Sequence, residues 1–396
     1  MATIRNAVIV DALRSPVGRG REGGALSSLH PVELLGQVLK QLVDRNKFDP
    51  ALVDDVIIGC VSQAAEQATT PGRMAWLAAG FPASVPATTI DRRCGSGQQA
   101  AHFAAQGVMA GAYDIVIAGG VESMSRVPLG SARMGADTFG PSVTQRYSPG
   151  LVPQGISAEL VAQKWSLSRE RLDEFSVRSH HLADAATTSG VFAKEIAPVT
   201  LPDGTVVVQD ETIRPGTSAE KLSQLPPAFR TAEWESQYPD IDWKITAGNS
   251  SSIADGASAV LIMSEEKANA LGLRPRARFH SFSVVGDDPV LMLTGPLRAT
   301  EVALEKGGLT IEDIQHVEIN EAFAPVPLMF ADEFDISLDV INPYGGAIAL
   351  GHPLGSTGTR LITSLLTGME ENDHRWGLVT ICEGGGMANG TIIERI

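Results

Sequence analysis

Cysteine is scarce in this chain of 396 residues: Cys60, Cys94 and Cys382 are the only three. An odd number with no CxxC pair supplies no disulfide framework. The eight histidines show no HxxxH spacing, so a structural zinc site is not expected and no metal is assigned. Long apolar runs are also missing, and stretches such as Ile115 to Ala118 are far too short to cross a bilayer. The opening Met1-Ala2-Thr3-Ile4-Arg5-Asn6 runs straight into AVIVDA, without the apolar core and cleavage site of a leader, which points to a cytoplasmic protein. Positive charge is short as well. A formal net charge of −15 argues against nucleic acid or an anionic membrane as partner. An anionic small ligand stays open where basic residues gather, as around Arg214 and Lys221.

What is present describes a folded α/β protein. Apolar residues make up 43% and charged residues 19%, a globular balance, and the length suits two or three packed units. Short β-rich runs at 53–61, 114–120, 316–322 and 377–386 alternate with helix-like segments. Each run delivers a loop at its carboxyl end, where α/β proteins place their sites. The chain also repeats itself. PVELLGQVLKQLVDRNKFDPALVDDVIIGC and PLRATEVALEKGGLTIEDIQHVEINE both read as a proline-started helix, a turn, an acidic pair and a buried strand. Cys94-Gly-Ser-Gly and a helix lead into DIVIAGG, as His352-Pro-Leu-Gly and a helix lead into GLVTICEGGG, so Cys94 and His352 stand at similar points of two copies. The middle, from about Met124 to Ser251, fits neither copy. It carries one expected helix over Ser157 to Thr188 and reads as an insertion over the site.

Four glycine-framed segments present reactive side chains. Cys94 precedes an uncharged, small-residue helix from Gly95 to about Gly111, whose free N–H groups favour an anion there; alone it would be an ordinary buried cysteine. His352, between GGAIALG and Pro-Leu-Gly, can take a proton from a thiol and stabilise the thiolate, or can simply cap its loop. His102, His280 and His316 lie inside helix- or strand-like runs and suit a structural role better. Cys382 ends a strand before Glu383 and three glycines, whose amides can face a developing oxyanion; it is either a proton-carrying thiol or a strand-end cysteine. Cys60 lacks such a frame and is read as structural. Asn320 can hold a water or a carbonyl oxygen, or cap the next helix. Glu321 either faces a ligand or orients its neighbours.

Together these segments resemble the thiolase family over essentially the whole chain. The matches are Cys94-Gly-Ser-Gly, Thr246-Ala-Gly-Asn before Asp255-Gly-Ala, Asn320-Glu-Ala-Phe-Ala, Gly345-Gly-Ala-Ile-Ala-Leu-Gly-His352-Pro, and Cys382-x-Gly-Gly-Gly. The resemblance implies two similar βαβαβ-type halves in five αβαβα layers with an inserted loop domain. Residues 1–123 and 252–275 would make the first half, 124–251 the insertion and 276–396 the second half. It implies Cys94 as the acylated nucleophile, His352 as base, Cys382 as acid/base thiol and Asn320 as holder of a catalytic water. His352 with that water, and the amides of Cys94 and Gly384, would form two oxyanion holes. Coenzyme A would serve as co-substrate without a permanent cofactor, and a homodimer or homotetramer is expected. Contacts to coenzyme A carry over to Ser251, Met292, Arg214 and Leu225, with Lys221 able to pair with a phosphate as a point charge.

The sequence departs from the family at several points. Gln154 stands where some members have methionine, and Lys221 where some have serine. Glu383 replaces an apolar residue, and Asn342-Pro-Tyr replaces Asn-Val-Asn. Arg93-Cys94, CEGGG and NPxGGAIALGHPLG are similar to bacterial thiolases that break down steroid and other bulky CoA thioesters. The expected activity is therefore degradative cleavage of a 3-oxoacyl-CoA to acetyl- or propionyl-CoA and a shortened acyl-CoA. The alternatives are a biosynthetic acetoacetyl-CoA thiolase and a non-catalytic lipid or CoA carrier. A 3-oxoacyl synthase, the nearest rival enzyme, would be expected to lack Cys382.

Overall fold

The computed structural model describes residues 5–147 and 150–396; residues 1–4, on which part of the leader reading rests, lie outside the described residues. Strands β1 (Ala7–Arg14), β2 (Asp55–Gly59), β3 (Ala87–Ile90), β4 (Ile115–Ser123) and β5 (Ala254–Ser264) pair in the order β3-β2-β4-β5-β1. Strands β6 (Ala277–Gly286), β7 (His316–Ile319), β8 (Trp376–Glu383) and β9 (Met387–Arg395) pair as β7-β8-β9-β6. Ile341 stands outside β7 through one parallel bridge to Val317, in the position that β3 holds beside β2. The two halves thus share one strand order, with the second edge strand reduced to a bridge, and β1 joins β6 through Val8 and Ile9.

Eight helices matter for the site: α1 (Pro31–Asn46), α2 (Pro71–Ala78), α3 (Ser96–Met109), α4 (Gln154–Lys164), α5 (Arg169–Thr188), α6 (Gly295–Gly307), α7 (Pro325–Phe334) and α8 (Leu354–Glu371). Strand alternation sorts them into five layers. Val56 and Ile58 of β2, with Ile115 and Ile117 of β4, face a core shared with α1 and α2. Ile57, Val116 and Ala118 face the opposite way, into a core shared with α3 and α8. Beyond the second half, Val317, Ile319, Leu378 and Ile392 meet α6 and α7. The central pair α3 and α8 therefore lies between two sheet faces. That is why α3 carries no charge and why Leu361, Ile362, Leu365, Leu366 and Met369 of α8 are all buried, each side chain contributing about 1.5–3 kcal/mol.

Local signals set the helix ends. Pro31 starts α1 behind His30, whose ring accepts from Val32 N–H, and Lys47 closes it in the left-handed region. Helix α3 ends at Met109, and Gly111 with φ of 76° turns the chain toward β4. The single helix expected over Ser157 to Thr188 is instead two. Ser166 takes a φ of 52° after α4, and the Ser168 hydroxyl accepts from Arg171 N–H to start α5. Both helices pack on the second half, against α7. Among the described residues no helix is long and apolar enough to cross a membrane, and no cluster of histidine, cysteine and carboxylates could hold a metal.

Candidate active site

The two central helices bring the cysteine and histidine loops together. Cys94 and His352 each stand two residues before a central helix, α3 or α8. The N-terminal turns of those helices touch through glycine: a Cβ on Gly97 would lie 2.8 Å from the Gly355 carbonyl oxygen, and one on Gly120 only 1.9 Å from it. No larger residue permits this approach. Parallel pairing of β7 with β8 sets the other two groups at the same sheet end, since Asn320 N–H donates to the Thr380 carbonyl at 3.1 Å and Cys382 follows two residues on. Asn320 thus lies beside His352, and Cys382 beside Cys94, where the starts of the two central helices meet.

Cys94 is buried, with 4% of its surface exposed. Arg93 takes a φ of 49°, and Gly95 and Ser96 N–H donate back to Arg92 and Arg93, which hold the cysteine at the start of α3. Burial, and next the Glu383 carboxyl, push its thiol up to about 11; the Gln154 amide and the backbone N–H groups of Gly384 and Cys94 act in the opposite direction. Gln154 Nε2 lies 4.0 Å from the sulfur. The two amides that the family resemblance assigns to an oxyanion site are thus among the groups that act on this sulfur. Cys382 is fully buried and pushed well above the ordinary thiol range, first by burial and then by Cys94. Cys60, also buried and raised, packs its side chain into the outer core of the first half.

His352 has a defined tautomer. Its Nδ1 lies 2.7 Å from the Thr357 hydroxyl, which itself donates to the Pro353 carbonyl at 2.9 Å, so Nδ1 carries the proton. Nε2 then accepts from Asn320 Nδ2 at 3.3 Å. Burial, aided by the Arg360 guanidinium, lowers His352 to about 3. The resting pair is therefore a neutral thiol and a neutral imidazole. The standing thiolate that a helix start suggested is not favoured, because the dry site costs the ion pair its hydration. Asn320 Oδ1 is buried without a partner, a free acceptor on the side chain that meets His352.

Surrounding carboxylates hold the loops. Glu321 accepts from Ser179 Oγ at 2.7 Å, Asn342 Nδ2 at 2.9 Å and Ile348 N–H at 3.1 Å, so it orients the chain leading to His352. Asn342, at a φ of 42°, also exchanges two side-chain hydrogen bonds with Ile319. Glu122 accepts from Val61, Ser62 and Gly355 N–H and ties the first half to the start of α8. The sequence reading missed Glu122 and Thr357. A hydroxyl five residues after His352 on a helix was a usable signal for the second. His102, His280 and His316 bond to Thr391, the Gly307 carbonyl and Glu318 respectively, away from the cysteines.

The residues expected to bind coenzyme A spread outward. Ser251 N–H donates to the Ala322 carbonyl, and its neighbour Ser252 accepts from His352 N–H, so this turn borders the site. Met292 is buried in the core that includes Cys382 and Phe323. Leu225 packs with Leu222 over Gly248 in the Thr246 turn. Arg214 and Lys221 are exposed, Lys221 donating to the Gly216 carbonyl at 2.6 Å.

Comparisons with known proteins agree with this geometry. The Thiolase, N-terminal domain profile matches residues 7–266, and the Thiolase, C-terminal domain profile matches 273–395. The chain is 46% identical over 403 residues to the steroid 3-ketoacyl-CoA thiolase FadA6 of Mycobacterium tuberculosis, covering 100% of this chain and 95% of that protein. It is 42% identical to a 3-ketoacyl-CoA thiolase of Serratia proteamaculans, over 99% of this chain and 100% of the other. The Bacillus anthracis acetyl-CoA acetyltransferase structure superposes with a TM-score of 0.89 at 38% identity, covering 100% of both chains. The family profiles and the relatives make this chain an acyltransferase, built on two α/β repeats. The chain belongs to the thiolase family.

Proposed function

We propose that this protein is a degradative 3-oxoacyl-CoA thiolase acting through a Cys94 acyl-enzyme. The observation that carries the reading is the neutral His352, its Nε2 lone pair held toward Asn320, on a loop brought against the start of the Cys94 helix. In this mechanism Cys94 Sγ attacks the 3-keto carbon while its proton passes to His352 Nε2. The oxyanion that forms is met by one of two donor sets, the Cys94 and Gly384 amides or His352 with a water held by Asn320. The Cα–Cβ bond breaks, and Cys382 Sγ–H supplies the proton that turns the departing enolate into acetyl-CoA, or propionyl-CoA where the α-carbon bears a methyl. The His352 proton then returns to the Cys382 thiolate and restores a neutral imidazole. A second coenzyme A gives its thiol proton to His352 Nε2, attacks the thioester and takes the acyl group, and the released Cys94 thiolate recovers that proton from His352.

Coenzyme A is the co-substrate and no permanent cofactor is invoked. Ser251 and Met292 would border the pantetheine arm. Arg214, Lys221 and Leu225 would flank the nucleotide. Residues 124–251 would act as a loop domain over the site, between 1–123 with 252–275 and 276–396. A cytoplasmic homodimer or homotetramer is the expected form. Similarity to the FadA6 thiolase and the CEGGG segment support a bulky or ring-derived acyl group. Similarity to an acetyl-CoA acetyltransferase supports a second reading, biosynthetic condensation on the same residues.

The test is coenzyme A-dependent loss of acetoacetyl-CoA and of a ring-bearing 3-oxoacyl-CoA, in wild type and Cys94→Ala. Thiolysis that vanishes in the variant supports the reading, and a higher kcat/KM for the bulky substrate supports its substrate class. Binding of coenzyme A without turnover of either would sink it.

A further inference from the structure

The internal repeat provides a control for Glu383. Parallel pairing sets Asp55 beside Val116 in the first half and His316 beside Gly377 in the second. Six residues further along, β4 reaches Glu122 and β8 reaches Glu383, so the two glutamates hold equivalent positions. Each is directed at the central helix of the opposite half. Glu122 accepts from Gly355 N–H at the start of α8, and also from Val61 and Ser62 N–H and the Gln67 amide. Glu383 lies against Gly95 at the start of α3, where an added Cβ would meet its Oε1 at 1.8 Å.

Their chemistry then diverges. Glu122 is a fully bonded structural carboxylate, whereas Glu383 is 0% exposed and neither of its oxygens has a partner. The titratable and charged groups around it are Asp91, Arg92, Cys94 and Cys382, with Arg93 near the following Gly384 and turned toward Asp91 at 3.9 Å. Arg92 Nε is itself buried and unpartnered. Burial outweighs the attraction of Arg92 and pushes Glu383 up to about 8, while Asp91 adds to the rise. A carboxylate formed there would in turn oppose negative charge on both Cys94 and Cys382.

Resting on Cys94 as nucleophile, we propose that Glu383 is a positioning residue that sets the strength of that nucleophile through its own charge. It stands as a neutral carboxylic acid while the enzyme works, and its ionisation withdraws the Cys94 thiolate. Two negative charges in one dry pocket cannot form independently. The acid form keeps its own proton, so the Cys94 proton still passes to His352. The opposed glycine, Gly95, permits the carboxyl to come this close, and the absence of hydrogen-bond partners leaves its ionisation free to respond to pH.

The experiment follows alkylation of Cys94 by iodoacetamide, read by mass spectrometry of its peptide, in full-length wild type, Glu383→Gln and Glu383→Asp from pH 6.5 to 10. At pH 7 wild type and the glutamine variant react equally. By pH 9.5 the glutamine variant reacts roughly three- to tenfold faster, since the charge that holds the thiolate back is gone. The aspartate variant, which keeps a carboxyl, follows wild type. Coincident profiles for wild type and the glutamine variant across the range would overturn the proposal. Should the glutamine variant fail to fold, Glu383→Met, neutral and of similar length, carries the same comparison. Thiolysis retained by Cys94→Ala would instead defeat the reading of Cys94 as nucleophile, and the alkylation profiles separate that failure from this one.

Discussion

Thr357 Oγ1 sits 2.7 Å from His352 Nδ1 and donates its own proton to the Pro353 carbonyl, so one hydroxyl on the first turn of α8 fixes which imidazole nitrogen is free. The lone pair that remains, on Nε2, is the one aimed at Asn320. A base is useful only when the correct nitrogen faces the proton it takes.

Replacing Thr357 by valine keeps the shape and removes the acceptor for Nδ1–H. We expect kcat for thiolysis to fall about ten- to a hundredfold, with KM changed far less, and Thr357→Ser to restore most of it. Steady-state kinetics of the three proteins check this. An unchanged kcat in the valine variant would mean that the loop alone orients the ring.

Glu122→Ala leaves the N–H groups of Val61, Ser62 and Gly355 without their acceptor at the junction of the two halves. Buried donors stripped of a charged partner cost about 3–5 kcal/mol in total. Urea unfolding should show a matching loss, if the transition is two-state. A loss below about 1 kcal/mol would mean that water replaces the carboxylate at little cost.

Stability should depend on pH through Glu383. Its folded value, about 8, lies above the ordinary value of 4.5, so the folded state holds the proton more tightly. The contribution is fully present below pH 4.5 and is lost as pH rises from there through about 8. Glu383→Gln does not ionise, so its Tm relative to wild type should rise between pH 5 and pH 8.5. A constant difference over that interval would contradict the burial of an ionisable carboxyl.

Much of this arrangement was legible in the sequence because each reactive group sits on a glycine-framed turn after a strand. Cys94, His352, Asn320 and Cys382 could be read from their frames, and the repeat that relates Cys94 to His352 survives in the shared strand order. What escaped depends on contacts between distant residues. Glu122 and Gly355 are 233 positions apart, and no local pattern joins them. The break between α4 and α5 rests on one residue, Ser166, in a left-handed conformation that periodicity does not reveal. The resting charge state of Cys94 and His352 also lay beyond the sequence, since a helix start favours the thiolate and only full burial shows that the neutral pair wins.

In the proposed thiolysis Cys94 carries the acyl group between the two halves of the reaction. The direct measurement is peptide mass spectrometry after mixing the enzyme with a 3-oxoacyl-CoA and no free coenzyme A, quenched at early times. An acyl adduct on the Cys94 peptide that disappears when coenzyme A is added is the predicted result. Turnover with no adduct there, or with the adduct on the Cys382 or Cys60 peptide, would contradict the account.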